Sequence, residues 1–191
     1  MEEVAAVKTQ GQLDQIETLL RDRDAIYGDV WRFGLNSALR ISDILALQMK
    51  EFRNLDDDSP MLKLRERKTG KNKSILLNAG AMAVVRRRLQ EHSTDYWAFQ
   101  STSPKHRRDQ PKAINRRSIG RVLHHIGMQV NPSVQLGTHS MRKTRGSFLF
   151  ASGCSIERIC KVMNHSSPAV TMKYIGLDQS DIDSTYTELV L

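Results

Sequence analysis

The feature that most constrains the fold is a change of hydrophobic period. Between Pro60 and Asn78, the residues Met61-Leu62-Lys63-Leu64-Arg65-Glu66-Arg67 partly alternate. Thr69-Gly70-Lys71-Asn72 then supplies turn chemistry, and Ser74-Ile75-Leu76-Leu77 adds a second apolar run. The segment reads as one β-hairpin with basic arms, set between stretches of helical spacing. The expected fold is therefore mainly α with a small antiparallel β-hairpin or sheet, an α+β class.

The helical stretches are legible from their apolar spacing. Leu13, Ile16, Leu19 and Leu20 mark a first amphipathic helix, and Ile26, Tyr27, Val30, Trp31 and Phe33 to Leu35 mark a second over Asp24 to Asn36. A third pattern resumes at Ile41, Ile44, Leu45 and Leu47, with Ser42 and Asp43 in its first turn, so that Arg40 lies at or just before a helix start. Helical spacing returns after Ala79 through Val84, Val85 and Leu89. The segment Ser101 to Lys112 reads as a basic loop, and Asn115 is a cap for a helix to about Ile126, stopped by Gly127. His139 to Ser152 forms the next helix, ended by Gly153. Ser155 caps another to Met163, where Asn164 suits a left-handed stop. Ser167-Pro168 opens a short helix that carries Tyr174 and ends at Gly176.

Composition narrows the function. The chain of 191 residues has 39% hydrophobic and 26% charged residues, ordinary for one globular domain and too apolar for a disordered chain. It has no apolar run of membrane-spanning length and no signal-peptide pattern, so a cytoplasmic protein is expected. Cys154 and Cys160, six apart on one helical segment, face different ways and are expected to stay reduced. Lysine and arginine outnumber the acids 29 to 21, a net charge of +8 that favours polyanionic partners, with nucleic acid the leading candidate.

Six residues carry the chemistry that such a partner invites: Arg40, Lys68, His139, Arg142, His165 and Tyr174. Paired arginines match the oxygens of a phosphate through planar donors. Lys68 at the hairpin turn is a mobile cation with protons to give. Histidines hold or pass a proton near neutrality, and a tyrosine hydroxyl is a latent nucleophile that needs such help. Taken one at a time, each has a plainer use as a surface, capping or packing residue. Together they suit metal-free attack on a phosphodiester.

The segment ALRISDIL around Arg40, RKTGK around Lys68, His139-Ser140-Met141-Arg142, and Asn164-His165-Ser166-Ser167 with Tyr174 nine residues after His165 resemble the catalytic domain of tyrosine recombinases, the phage integrase family. The resemblance runs from about Leu13 to Leu177. It implies the DNA breaking and rejoining fold and a site-specific recombinase in which Tyr174 forms a 3′-phosphotyrosyl link and expels a 5′-hydroxyl. In that reaction Arg40, Arg142 and His165 stabilise phosphoryl charge, Lys68 protonates the leaving oxygen, His139 manages the tyrosine proton and Asp43 braces the arginine side. No cofactor is implied, neither ATP nor a metal, and His124-His125 with the two cysteines lacks a metal-ligand spacing. Lys143 after Arg142, where many members have His, and Asn164, where many have Gly, are departures that leave every essential side chain present.

The implied partner is double-stranded DNA, contacted through Lys71 and Lys73 on the hairpin, Lys105, Arg107 and Arg108 in the loop, and Arg116, Arg117 and Arg121 at the next helix start. The family further implies a tetramer on DNA in which the tail 178–191 docks on a neighbour. Ile182, Tyr186, Leu189 and Val190 suit that plug, or equally packing on their own domain. Residues 1–177 are expected to form one catalytic domain. Only about a dozen residues precede the first helix, so the N-terminal DNA-clamping (core-binding) domain is expected to be absent from this chain, whether as a minimal recombinase or as part of something longer. Type IB topoisomerase-like relaxation and a DNA-binding accessory role are the competing functions.

Overall fold

The structure, a computed structural model, describes residues 4–103 and 110–177; Lys105, Arg107, Arg108 and the tail with Ile182, Tyr186, Leu189 and Val190 lie outside them. In order, the elements are α1 (Gln10–Arg23), α2 (Ala25–Ser37), α3 (Ile41–Ile44), α4 (Met49–Arg53), β1 (Met61–Arg65), β2 (Asn72–Leu76), α5 (Ala79–Glu91), α6 (Arg116–Val130), α7 (Ser140–Ala151), α8 (Ile156–Met163) and α9 (Pro168–Ile175). The mainly helical class with one antiparallel hairpin is as the sequence predicts.

Helix α2 is the centre. It packs on α1, α5 and α7, and it buries Trp31 and Phe33. Phe33 meets Phe52 of α4 and Phe99 with ring centroids 5.6 and 5.4 Å apart, a tilted geometry that suits the ring quadrupoles. Burying each such ring contributes about 1.5–3 kcal/mol. A second, smaller apolar cluster of Ala38, Ile159 and Met163 lies where α8 meets the end of α2.

The caps explain most boundaries. Thr9, Asp24, Asn78, Asn115, Ser155 and Ser167 each accept a backbone N–H in the first turn of α1, α2, α5, α6, α8 and α9. Asn164 ends α8 in the left-handed conformation expected of it (φ 46°). Four details differ from expectation. The pattern read through Leu47 gives only the four-residue α3, and α4, opened by a reciprocal cap between Gln48 and Glu51, has no counterpart among the helices expected from the sequence. Helix α6 runs through Gly127 to Val130, because Gly127 serves close packing and not a stop: a Cβ there would meet Leu136 at 2.8 Å. Helix α2 ends at Ala38, left-handed at φ 53°, a residue with no sequence signal for that conformation.

The three arginines Arg86-Arg87-Arg88 splay around α5 as their spacing requires. Arg86 pairs with Asp57 on the surface, Arg87 with the fully buried Asp29, and Arg88 is itself buried against Asp95 and the Ala98 carbonyl. They are structural. Cys154 and Cys160 are free thiols.

The hairpin alternates as a two-residue period dictates. Leu62 pairs with Ile75 and Leu64 with Lys73 on the face toward the body, while Met61–Leu76, Lys63–Ser74 and Arg65–Asn72 face outward. Continuing the inward set past β1 reaches Glu66, which is 1% exposed.

Candidate active site

Arg40 sits at the N-cap of α3 with its guanidinium mostly covered, and Arg142 is buried in the first turn of α7. Arg142 is aimed by two carbonyls from distant chain segments: Nη1 donates to Ala38 at 2.7 Å, and Nη2 donates to Met163 at the end of α8. The left-handed turn at Ala38 presents the first of these carbonyls, which gives that unexpected backbone a use.

Arg40 Nη1 donates to Glu66 at 2.9 Å. The same carboxylate accepts from Thr69 Oγ1 at 2.7 Å and from Asn164 Nδ2 at 2.5 Å. Burial alone raises a carboxyl pKa, but these two hydrogen bonds and the Arg40 charge outweigh it and hold Glu66 below its ordinary value. Glu66 thus ties Arg40, the hairpin turn and the residue before His165 to one point. Asp43, expected to brace the arginine side, accepts from the Arg67 backbone N–H at 2.9 Å, which fixes the hairpin turn, and its charge acts on Arg142; the direct partner of Arg40 is Glu66.

Tyr174, half-buried in the last turn of α9, places its hydroxyl 3.4 Å from His139 Nδ1. Burial raises its pKa, opposed by the positive charges of Arg142 and Arg40 and by a hydrogen bond to Arg142. His139 is pushed down by burial and by Arg116, Arg142, Arg40 and Lys143, so it is neutral at pH 7 and able to accept a proton. The His165 ring stands edge-on to Tyr174 at 4.8 Å between centroids. Its pKa falls to about 4 through burial and the positive charges of Arg142, Arg40 and Lys73. His165 Nδ1 lies 3.1 Å from Thr171 Oγ1, which leaves Nε2 as the nitrogen available to a substrate.

Helix α9 reaches this position because Gly146 of α7 has no side chain. A Cβ there would lie 2.6 Å from Ile175 Cγ2 and 3.1 Å from Met163 Cε. The buried Lys143, one residue after Arg142, lies 5.5 Å from the Tyr174 ring centroid, a cation–π distance.

The fold therefore gathers Arg40, His139, Arg142, His165 and Tyr174 from four separate stretches of chain. Lys68 does not join them: it is exposed in the hairpin turn. Of the proposed DNA contacts, Arg116, Arg117 and Arg121 are exposed along the start of α6, and Arg116 is near enough to His139 to lower its pKa. Lys71 is exposed in the turn just before β2, whereas Lys73 lies within β2, paired with Leu64 on the inward face.

The residues that sequence reasoning missed are Glu66, Thr171, the Asn164 amide and the inward aim of Lys73. Three of the four had a signal. Glu66 continues the inward alternation of Leu62 and Leu64, Lys73 precedes Ile75 in the matching set, and Thr171 lies one helical turn before Tyr174.

The sequence pattern of the phage integrase family matches residues 9–181. The chain belongs to that family. The probable integrase/recombinase YoeC of Bacillus subtilis is 29% identical over 183 residues, which covers 96% of this chain and 95% of that protein. Tyrosine recombinase XerC of Pelobacter propionicus is 25% identical over 75% of this chain but only 46% of its own length. Among solved structures, XerA recombinase superposes with a TM-score of 0.72 at 14% identity, over 98% of this chain and 65% of that one. The Tn1549 transposon integrase bound to circular intermediate DNA gives 0.68 at 18% identity, over 99% and 66%. Those likenesses establish the tyrosine recombinase catalytic fold, and family membership places this integrase among enzymes that break and rejoin DNA strands. This integrase spans less than two thirds of the length of XerC, XerA and the Tn1549 chain.

Proposed function

We propose that this integrase cleaves and rejoins specific DNA sites through a covalent bond between Tyr174 and the 3′ phosphate. The observation that carries the proposal is the Tyr174 hydroxyl, 3.4 Å from His139 Nδ1 and acted on by the charges of Arg142 and Arg40, in a pocket that also holds His165.

The tyrosine oxygen forms a bond to phosphorus as the bond from phosphorus to the 5′ oxygen breaks. The phenolic proton passes to His139, which is neutral at pH 7, and Lys68 on the exposed turn gives a proton to the departing 5′ oxygen once DNA covers the hairpin. Arg40, Arg142 and His165 meet the charge on the non-bridging oxygens, a preorganised electrostatic contribution of the kind that dominates such reactions. Rejoining runs the same steps backward with a 5′-hydroxyl as nucleophile, so bond energy is conserved in the phosphotyrosine.

The partner in this proposal is duplex DNA, met along α6 by Arg116, Arg117 and Arg121 and at the hairpin by Lys71, in an assembly of four protomers joined through tail 178–191, with an accessory protein where the site requires one. Residues 1–177 act as the catalytic domain, in the cytoplasm, where the DNA lies. Among the described residues no helix is long and apolar enough to cross a membrane.

The test is incubation with nicked suicide duplexes carrying candidate sites, followed by denaturing electrophoresis. An adduct that disappears in Tyr174→Phe, with DNA binding retained, is the expected result. An adduct that survives the substitution removes Tyr174 as the nucleophile.

A further inference from the structure

The inward face of the hairpin brings one more cation to the phosphate pocket. Lys73 is half-buried, and its Nζ donates to the Val162 carbonyl at 2.8 Å. The next carbonyl along, that of Met163, accepts from Arg142. Carbonyls in the last turn of a helix lack intrahelical partners and form the negative end of its dipole. The end of α8 thus holds two cations side by side, immediately before Asn164 and His165. Burial and the charges of Arg142 and Arg40 lower the proton affinity of Lys73, opposed by Glu66 and Asp43, and Lys73 in turn helps lower that of His165. Lys73 is therefore electrostatically part of the same cluster as the two arginines. Lys71, two residues earlier, faces solvent.

We propose that Lys73 is a further catalytic residue: when DNA binds, its ammonium exchanges the Val162 carbonyl for a non-bridging oxygen of the scissile phosphate, so that three side-chain cations, Arg40, Arg142 and Lys73, hold the phosphoryl charge. The proposal rests on the recombinase reading above. Its physical basis is threefold. The flexible four-carbon stem lets Nζ move without moving the strand. A phosphate oxygen carries a negative charge that the neutral carbonyl lacks, so the exchange adds an ion-pair attraction in a partly buried site and is favourable. The buried Glu66 and Asp43 face the three cations, which lets the cluster persist without DNA and leaves an excess of positive charge for an anion to neutralise.

The test compares the wild type with Lys73→Met, which keeps the stem and removes the charge. Thermal unfolding shows that each variant is folded, and Lys73→Arg provides a second, charged variant should the methionine unfold the chain. Single-turnover cleavage is measured at saturating protein on three duplexes: the natural phosphodiester, a methylphosphonate at the scissile position and a 5′-bridging phosphorothiolate. Lys73→Met is expected to cleave the natural duplex about 10²–10³-fold slower than wild type, the range for losing one preorganised donor, with DNA affinity little changed. The gap narrows on the methylphosphonate, which has lost a non-bridging charge, and persists on the phosphorothiolate, whose sulfur leaves without a proton. Lys73→Arg recovers part of the rate. A Lys73→Met rate equal to wild type at saturation overturns the proposal. A defect that vanishes only on the phosphorothiolate also overturns it, because Lys73 would then be a proton donor and not a charge clamp. If wild type itself gives no Tyr174-dependent adduct, the recombinase reading has failed, a result distinct from any failure of Lys73.

Discussion

Two fully buried carboxylates, Asp29 in the helical body and Glu66 beneath the pocket, meet arginines in opposite ways. Asp29 of α2 is paired with Arg21 of α1 and Arg87 of α5, and Arg87 also meets Glu91 and the Ala25 carbonyl while its buried Nε has no partner among the described residues. That network's effect is to lock three helices in register. Glu66 is paired with Arg40, whose side chain keeps 14% of its surface open, and with Thr69 and Asn164. It aligns an arginine that still has donors to offer. The same chemical pair thus holds the scaffold in one region and preorganises a binding site in the other, and the difference lies in whether the arginine's spare donors face the packed body or the pocket.

The sharpest way to break the comparison is to remove each carboxylate. Asp29→Ala removes the fully buried member of the network, leaving Arg87 only Glu91 and Arg21 only Glu17 as ion-pair partners, and is expected to cost about 3 kcal/mol of stability, read by denaturant unfolding, with cleavage per folded molecule unchanged. Glu66→Gln should cost less stability, because the amide keeps the shape and one acceptor oxygen for Arg40, yet slow single-turnover cleavage by up to about 10²-fold through misplacement of Arg40 and the hairpin. Equal destabilisation by the two substitutions, with no loss of cleavage from the second, would make Glu66 merely another scaffold lock.

Gly146→Ala sharpens the contrast from the α7–α9 side. The added methyl collides with Ile175, so about 1–3 kcal/mol of overpacking is expected, together with slower cleavage as α9 and Tyr174 shift; thermal midpoint and adduct formation rate report the two effects separately. An unchanged adduct rate would mean that α9 reseats without moving its tyrosine.

The smallest expected effect is a pH dependence of stability. His165 is held near 4, whereas an unfolded histidine titrates near 6.5, so the unfolded chain takes up its proton first as the medium acidifies. Stability present above pH 6.5 is therefore lost progressively down to about 4, and Glu66, held below its ordinary 4.5, adds a further loss only at lower pH. In His165→Asn the limb between 6.5 and 4 should flatten. A limb of the same slope in the variant assigns the effect elsewhere.

The elements were legible because their signals are local. Caps at Asn115, Ser155 and Ser167, the stop at Asn164 and the hairpin turn each depend on residues within a few positions. The identities of Arg40, His139, Arg142, His165 and Tyr174 were legible for another reason: their order and intervals carry the resemblance to the integrase family. The roles of Glu66 and Lys73 were obscured by the company they keep in sequence, where a charged residue among charged neighbours reads as surface.

By itself, then, the sequence determined which segments are helical, where the single hairpin falls and which side chains have the chemistry for phosphoryl transfer, all of which follow from periodicity, capping and residue type. Only the tertiary structure decided which charges are paired. Asn164 reaches Glu66 across 98 residues and Arg142 reaches Ala38 across 104. Burial weakens solvent screening, so such long-range pairs are the ones that set direction and charge at the site. No local pattern encodes them.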